Sequence, residues 1–256
     1  MKISQLFTGI LLLTANFNSF AASPDLPIPG NLIRLDSATG IEQLTSSPKK
    51  FNHNYWSLSR YYVTENGLAY CAPASIVMVL NAMEIKPSIA PEHYPYKLFN
   101  QQNLFYDHQV LSKQITPTMI NHQGLTLDQA YELSKVYVPD TKMVYGINIS
   151  TLDQFKSKVT HTLQTGFVIV NYDRKTIKQV GGGHFSPIAA YNPKSDSFLI
   201  LDVARYKYPP VWVKANELYK ATQGIDSTSH NSRGLLFIPK QLKQKRDIKL
   251  MSQIPK

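Results

Sequence analysis

Short apolar segments of strand character occupy the second half of the sequence, and they constrain the fold more than any other feature. They are rich in β-branched and aromatic residues and are bounded by Gly, Pro, Asn and Asp. Most links between them are too short to hold a crossover helix, so neighbouring strands should run antiparallel. We predict strands at 167–172, 184–191, 198–203, 211–213 and 234–238.

Helical signals dominate the first half of the chain. An apolar run at 72–83 predicts a buried helix with Cys71 at its N-terminus. The capping patterns T-x-x-E at 39–42 and T-x-x-Q at 126–129 predict two more helices, and Ser150/Thr151 opens another. Helices followed by strands predict an α+β protein, with a helical N-terminal half packed on a mainly antiparallel sheet.

The composition excludes several classes of protein. The chain has 256 residues, enough for one compact domain or at most two small ones. Its 15 Tyr, 11 Phe and 2 Trp argue against intrinsic disorder. With Cys71 as the single cysteine, neither a disulfide-stapled scaffold nor a four-thiolate zinc site can form.

An excess of positive charge, +10 overall, leaves anionic small substrates open. Part of it lies in residues 240–256, which we interpret as a solvated basic tail. A nucleic-acid role would need a basic face with a recognisable module, and the sequence shows none. Six other histidines are scattered without ligand spacing, so we expect no built-in metal site.

The N-terminus resembles a targeting segment. A positive start, a short apolar stretch and Ser19-Phe20-Ala21 predict a secretory signal peptide over residues 1–21, with Ala22 as a second cleavage position. The alternative is a disordered or membrane-tethering N-terminus. We expect an exported, periplasmic protein without a membrane span in its mature form.

Three residues have the chemistry of a nucleophilic site. At a helix N-terminus Cys71 would be favoured as a thiolate, and the free N–H groups there would bind an oxyanion. His184 follows three glycines that permit close approach of a substrate backbone. Asp202, carried on the next predicted strand, would face His184 across the ladder. By spacing alone the Cys-His-Asp order is weak evidence for catalysis, and each of the three residues could instead have a structural role.

Longer segments around these residues resemble those of the phytochelatin synthase family. They are 66–81 (NGLAYCAPASIVMVLN), 182–192 (GGHFSPIAAYN) and 198–213 (FLILDVARYKYPPVWV). The resemblance implies a papain-like fold for a catalytic domain at 22–239. It also implies that Cys71 is the nucleophile, His184 the general acid/base and Asp202 its orienting partner.

By resemblance the substrate is glutathione, whose Cys–Gly bond is cleaved through a thioester. Transfer of the γ-glutamylcysteine group to a second glutathione gives phytochelatin, and transfer to water gives γ-glutamylcysteine. Without a Cys-rich C-terminal region the chain resembles the short bacterial type, in which hydrolysis dominates. No cofactor is implied. Heavy-metal ions would enter as glutathione thiolates, or would bind Cys71 and inhibit, and a homodimer is left open.

The resemblance assigns further residues to the substrate. Arg174 and Arg233 match basic residues that bind the γ-glutamyl end, and a guanidinium suits a carboxylate; Gly183 joins them at the substrate. Glu65 departs from the family, which has glutamine at this oxyanion position. Glu65 would be protonated and donate, or point away while the N–H of Cys71 acts, or impair the enzyme.

Two other functions stay open. A papain-like peptidase acting on other peptides would keep the three catalytic residues and need no γ-glutamyl clamp. A catalytically weak protein that binds glutathione or metal thiolates would explain Glu65.

Overall fold

A seven-stranded sheet forms the centre of the computed structural model, which describes residues 26–240. Its strands are β1 (Ile33–Arg34), β2 (Lys142–Tyr145), β3 (Gly166–Asp173), β4 (Gly183–Asn192), β5 (Ser197–Ile200), β6 (Val211–Lys214) and β7 (Gly234–Pro239). They lie in the order β1-β6-β5-β4-β3-β7-β2, and every neighbouring pair is antiparallel. The predicted antiparallel sheet is confirmed.

Eight α-helices accompany the sheet within the same residues. They are α1 (Ala38–Ser46), α2 (Lys49–Ser59), α3 (Cys71–Ala82), α4 (His108–Ser112), α5 (Pro117–Gln123), α6 (Leu127–Tyr137), α7 (Leu152–Thr165) and α8 (Ala215–Thr222). Seven of the eight precede β3, so the α+β class with a helical N-terminal half is also confirmed. The papain-like assignment within that class stays a prediction.

The sheet buries both of its faces. Along β3, Phe167 and Ile169 join the core under α3, whereas Val168 and Val170 join the core under α7 and α8. This alternation is the two-residue period of a strand, here apolar on both sides. The arrangement fixes α3, and with it Cys71, against the central strand β4.

Local capping chemistry decides where three helices begin. Thr126 and Gln129 form the predicted capping box of α6, and Thr151 caps α7. The capping box predicted at 39–42 is wrong. Ser37 caps α1 instead, because its hydroxyl accepts from the N–H of Gly40.

Strand β5 is shorter than the sequence indicated. We predicted a strand over 198–203 that carries Asp202, but β5 ends at Ile200. The Asp202 carboxylate accepts the N–H of Ala204, two residues on, and this local turn competes with strand pairing. Asp202 therefore lies in the loop after β5, at the end of the sheet where the neighbouring strand β4 begins.

Two segments that we had predicted lie wholly or mainly outside the described residues. The signal peptide at 1–21 is outside them, and so is the basic tail except for Lys240. The proposed boundaries of the catalytic domain at 22–239 therefore stay a prediction. Among residues 26–240, no helix has the length and apolar character needed to cross a membrane.

Candidate active site

Cys71 is the first residue of α3 and is almost completely buried. The first N–H groups of a helix have no partners within it, and here the backbone N–H groups of Phe185 and Ala72 favour the thiolate form of Cys71. Burial nevertheless raises the pKa of Cys71 to about 12, and the carboxyl of Glu65 adds to this effect. The resting nucleophile is therefore a thiol that needs a base, which differs from the thiolate expected from the helix N-terminus alone.

His184 supplies that base from the start of β4. It lies opposite Tyr172 in the ladder between β3 and β4. Burial, followed by the positive charge of Arg174, lowers the pKa of His184 to about 4 against the opposing effect of Asp202. A neutral imidazole beside a thiol can accept its proton, as general base catalysis requires.

Asp202 contacts His184 as predicted, but from a loop and not across a ladder. The Nε2 atom of His184 lies 2.9 Å from Oδ1 of Asp202, without the straight alignment of a good N–H···O hydrogen bond. Burial by itself would raise the pKa of Asp202, but His184 and Arg174 hold it well below its usual value. The carboxylate thus stays ionised and fixes one side of the imidazole, which leaves Nδ1 for the thiol.

Arg174 lies behind Asp202. Its Nη1 and Nη2 atoms donate to Oδ2 and Oδ1 of Asp202 at 2.7 and 2.8 Å, and Nη1 also donates to Gln179. The side chain is 3% exposed and its partner is 0% exposed. The guanidinium of Arg174 is thus engaged by the aspartate of the site, and a contact of Arg174 with the γ-glutamyl end of the substrate stays a prediction.

A cavity of about 220 Å³ opens beside Cys71. Gly183 and Arg233 line it, as do Asn171 and Asp226. Arg233 donates to Asn171 at 3.2 Å and lies 4.0 Å from Asp226, while its Nε has no partner. The structure therefore brings Gly183 and Arg233 to the nucleophile, and it leaves Arg233 with unused donors.

Glu65 points toward the nucleophile. One of its oxygens, the sulfur of Cys71 and a ring nitrogen of His184 all lie within 4.8 Å of one another. Its Oε1 accepts a hydrogen bond from the hydroxyl of Tyr206, and its buried Oε2 has no partner. Burial raises the pKa of Glu65, partly offset by Tyr206. This geometry disagrees with the interpretation in which Glu65 turns away.

Comparison with known proteins identifies the family of this chain. The phytochelatin synthase family model matches residues 24–235. The chain belongs to the phytochelatin synthase family. It is 33% identical over 188 residues to glutathione gamma-glutamylcysteinyltransferase 3 of Lotus japonicus, which covers 73% of this chain and 37% of that protein.

Other relatives give the same result. Identity to glutathione gamma-glutamylcysteinyltransferase 2 of Arabidopsis thaliana is 32%, over 72% of this chain and 39% of the relative. Identity to glutathione gamma-glutamylcysteinyltransferase of Schizosaccharomyces pombe is 28%, over 82% of this chain and 50% of the relative. The chain thus spans half or less of the length of these curated relatives.

Sequence reasoning missed two residues of the site. Asp226 lies in a loop rich in Ser, Thr and Asn, where acidic residues are common. Its nearness in sequence to Arg233, seven residues on, is the one local feature that could have indicated a role in the site. Tyr206 is separated from Glu65 by 141 residues, so no local pattern could have paired them.

Proposed function

We propose that this chain is an enzyme that cleaves the Cys–Gly bond of glutathione through a thioester on Cys71. The observation that carries the proposal is the cavity beside Cys71, which also holds Arg233 and Asp226. A guanidinium and a carboxylate side by side suit the α-carboxylate and α-ammonium groups of a γ-glutamyl residue. Ordinary peptides lack this pair of charges within the chain, so the pair favours glutathione over a general peptidase substrate.

The contacts of the three central residues support a two-step reaction. His184 takes the proton of the Cys71 thiol, and the sulfur attacks the carbonyl carbon of the cysteinyl residue. The protonated imidazole then gives its proton to the nitrogen of the departing glycine, and the thioester remains. Water or the amino group of a second glutathione attacks this thioester, with His184 again accepting the proton and Cys71 recovering it.

Glu65 completes this proposal as the donor to the oxyanion. Because Tyr206 already donates to Oε1, the proton of a neutral Glu65 would reside on Oε2, the atom with no partner. A proton on that oxygen could stabilise the negative charge that develops on the substrate carbonyl, alongside the N–H groups at the start of α3. Tyr206 would then be a positioning residue that acts through Glu65.

The decisive experiment is an intact-mass measurement after a short pulse with glutathione. We expect an adduct of γ-glutamylcysteine on the wild type, with release of one glycine, and no adduct on Cys71→Ser. A protein that binds glutathione but releases no glycine would refute the enzymatic proposal and favour the binding function.

Arg233→Ala separates glutathione cleavage from general peptidase activity. It should raise the KM for glutathione about tenfold or more with a smaller effect on kcat, since it removes a charged clamp away from the reacting bond. Arg60→Ala, at an exposed arginine that does not line the cavity beside Cys71, is the matched control. An unchanged KM would favour the peptidase.

Several finer expectations complete the proposal. We propose that hydrolysis dominates over transfer, that heavy-metal ions such as cadmium enter as glutathione thiolates, and that the protein is bacterial and exported to the periplasm after cleavage of residues 1–21. Its assembly as a homodimer stays open. Product analysis with and without cadmium, and the N-terminus of the secreted protein, test these points.

A further inference from the structure

The side chains of Glu65, Cys71 and His184 form a ligand set for a metal ion. Each offers one ligand atom, these atoms lie within 4.8 Å of one another, and all three residues are buried. We propose that this set binds a soft divalent cation, Zn²⁺ or Cd²⁺, directly. This site differs from metal that arrives as a glutathione thiolate, because the protein itself supplies the ligands.

The donor types and spacing suit such an ion. A thiolate sulfur, an imidazole nitrogen and a carboxylate oxygen are the atoms that Zn²⁺ accepts in tetrahedral sites. At the usual bond lengths of about 2.0–2.3 Å, ligand atoms of one tetrahedron lie roughly 3.2–3.8 Å apart. The observed spread requires small side-chain movements only. The cavity beside Cys71 leaves the fourth position to water or a ligand thiol.

Charge favours occupation by a divalent cation. Cys71 is 9% exposed and Glu65 is 5% exposed, and an anion buried at either place is costly without a positive partner. The positive charge of Arg174 is near, but its guanidinium forms its ion pair with Asp202. A thiolate, a carboxylate and one divalent ion together are neutral, and binding would release the thiol proton and any carboxyl proton to solvent.

The groups behind the ligands already orient them. Asp202 lies 2.9 Å from Nε2 of His184 and so leaves Nδ1 for the ion. Tyr206 donates to Oε1 of Glu65 and so leaves Oε2, which has no partner. A carboxylate behind a ligating histidine and a hydrogen bond on a ligating carboxylate are regular features of protein metal sites.

Occupation of this site would stop the reaction. The ion would hold the sulfur of Cys71 and the nitrogen of His184, the two atoms that must exchange a proton, so free metal would act as a reversible off-switch that excess glutathione removes. This consequence rests on the proposed function, whereas metal binding itself rests on the geometry alone. The carboxylate at position 65 is essential here, because a neutral amide in its place is a much poorer ligand.

The test is a titration of the metal-free full-length protein with Cd²⁺ and Zn²⁺. Calorimetry gives the stoichiometry and Kd, and the ultraviolet charge-transfer band between thiolate and cadmium reports the sulfur. Cys71 is the single cysteine of the chain, so this band can arise from no other residue. We expect one ion per chain with the band, and loss of the band in Cys71→Ser.

Glu65→Gln is the critical variant, because glutamine keeps the shape and can still accept from Tyr206. We expect its Kd for Cd²⁺ to rise about tenfold or more, with unfolding temperature unchanged. Glu42→Gln, an exposed change on α1, should leave the Kd unaltered. Equal Kd values for Glu65→Gln and the wild type, or a wild type without the band, would overturn the site. A wild type that binds cadmium but never forms the thioester would refute the enzymatic function and leave the site intact.

Discussion

Replacing Arg174 by glutamine should destabilise the fold far more than it weakens substrate binding. Arg174 and Asp202 form a two-point ion pair with side chains 3% and 0% exposed. Glutamine removes the positive charge and leaves a buried carboxylate beside the neutral imidazole of His184. Breaking a buried pair on one side costs about 3–5 kcal/mol, because the other charge stays desolvated.

The expected change is large enough to measure by two methods. For a chain of this size, each kcal/mol lowers Tm by about 2–4 °C, so the loss corresponds to roughly 6–20 °C. Urea unfolding should show a lower midpoint with an unchanged slope, which identifies a loss of stability without a change in the surface exposed on unfolding. Arg60→Gln, at an exposed arginine, is the control and should change the free energy of unfolding by less than about 0.5 kcal/mol.

Catalysis provides a second signature of the same pair. Arg174 lowers the pKa of His184, so its removal should raise that pKa and move the acid limb of the kcat profile to higher pH. The KM for glutathione should change little at temperatures where the variant is folded. A variant with unaltered stability and a strongly raised KM would refute this reasoning and return Arg174 to the γ-glutamyl end of the substrate.

Three other changes test the site. In Gly183→Ala the new Cβ would lie 1.7 Å from Nη1 of Arg233, so the guanidinium must move, and KM should rise about as much as in Arg233→Ala with less change in kcat. Tyr206→Phe removes a hydrogen bond that lowers the pKa of Glu65, so Glu65 should stay protonated to higher pH. With a chelator present, the decline of glycine release with rising pH should therefore shift to higher pH. This decline should be absent in Glu65→Gln. The pKa of His184 is about 4 in the folded protein and about 6.5 in the unfolded chain, so the unfolded chain binds the proton first as the pH falls. The wild type should therefore lose about 3 kcal/mol of stability between pH 6.5 and pH 4. In urea unfolding, His184→Asn should show a smaller dependence of stability on pH. An unchanged KM, coincident pH profiles or parallel stability curves would contradict these expectations in turn.

The sequence by itself determined the elements whose signals are local. The apolar run after Cys71 specified α3, the capping box at 126–129 specified the start of α6, and the short apolar segments with short links specified an antiparallel sheet. The long motifs also pointed to Cys71, His184 and Asp202, and the structure brings all three together. Each of these signals depends on residues that are close in the chain.

Helix α2 shows where such local reasoning fails. Its sequence is mostly polar, and besides Leu58 it buries two asparagines. Asn52 donates to the carbonyl groups of Leu44 and Ser47, and Asn54 donates to those of Leu163 and Gly166. These hydrogen bonds help to hold a helix whose apolar residues Phe51, Tyr55 and Leu58 do follow the helical period.

The tertiary structure alone decided the electrostatics of the site. Arg174 and Asp202 are 28 residues apart and Glu65 and Tyr206 are 141 residues apart, so their pairing follows from the packing of separate elements. Burial likewise turned the expected thiolate of Cys71 into a thiol, because desolvation acts through every surrounding segment and outweighs the N–H groups at one helix end. Residue types fixed which chemistry was available, and the folded surroundings fixed the protonation state and partner of each group.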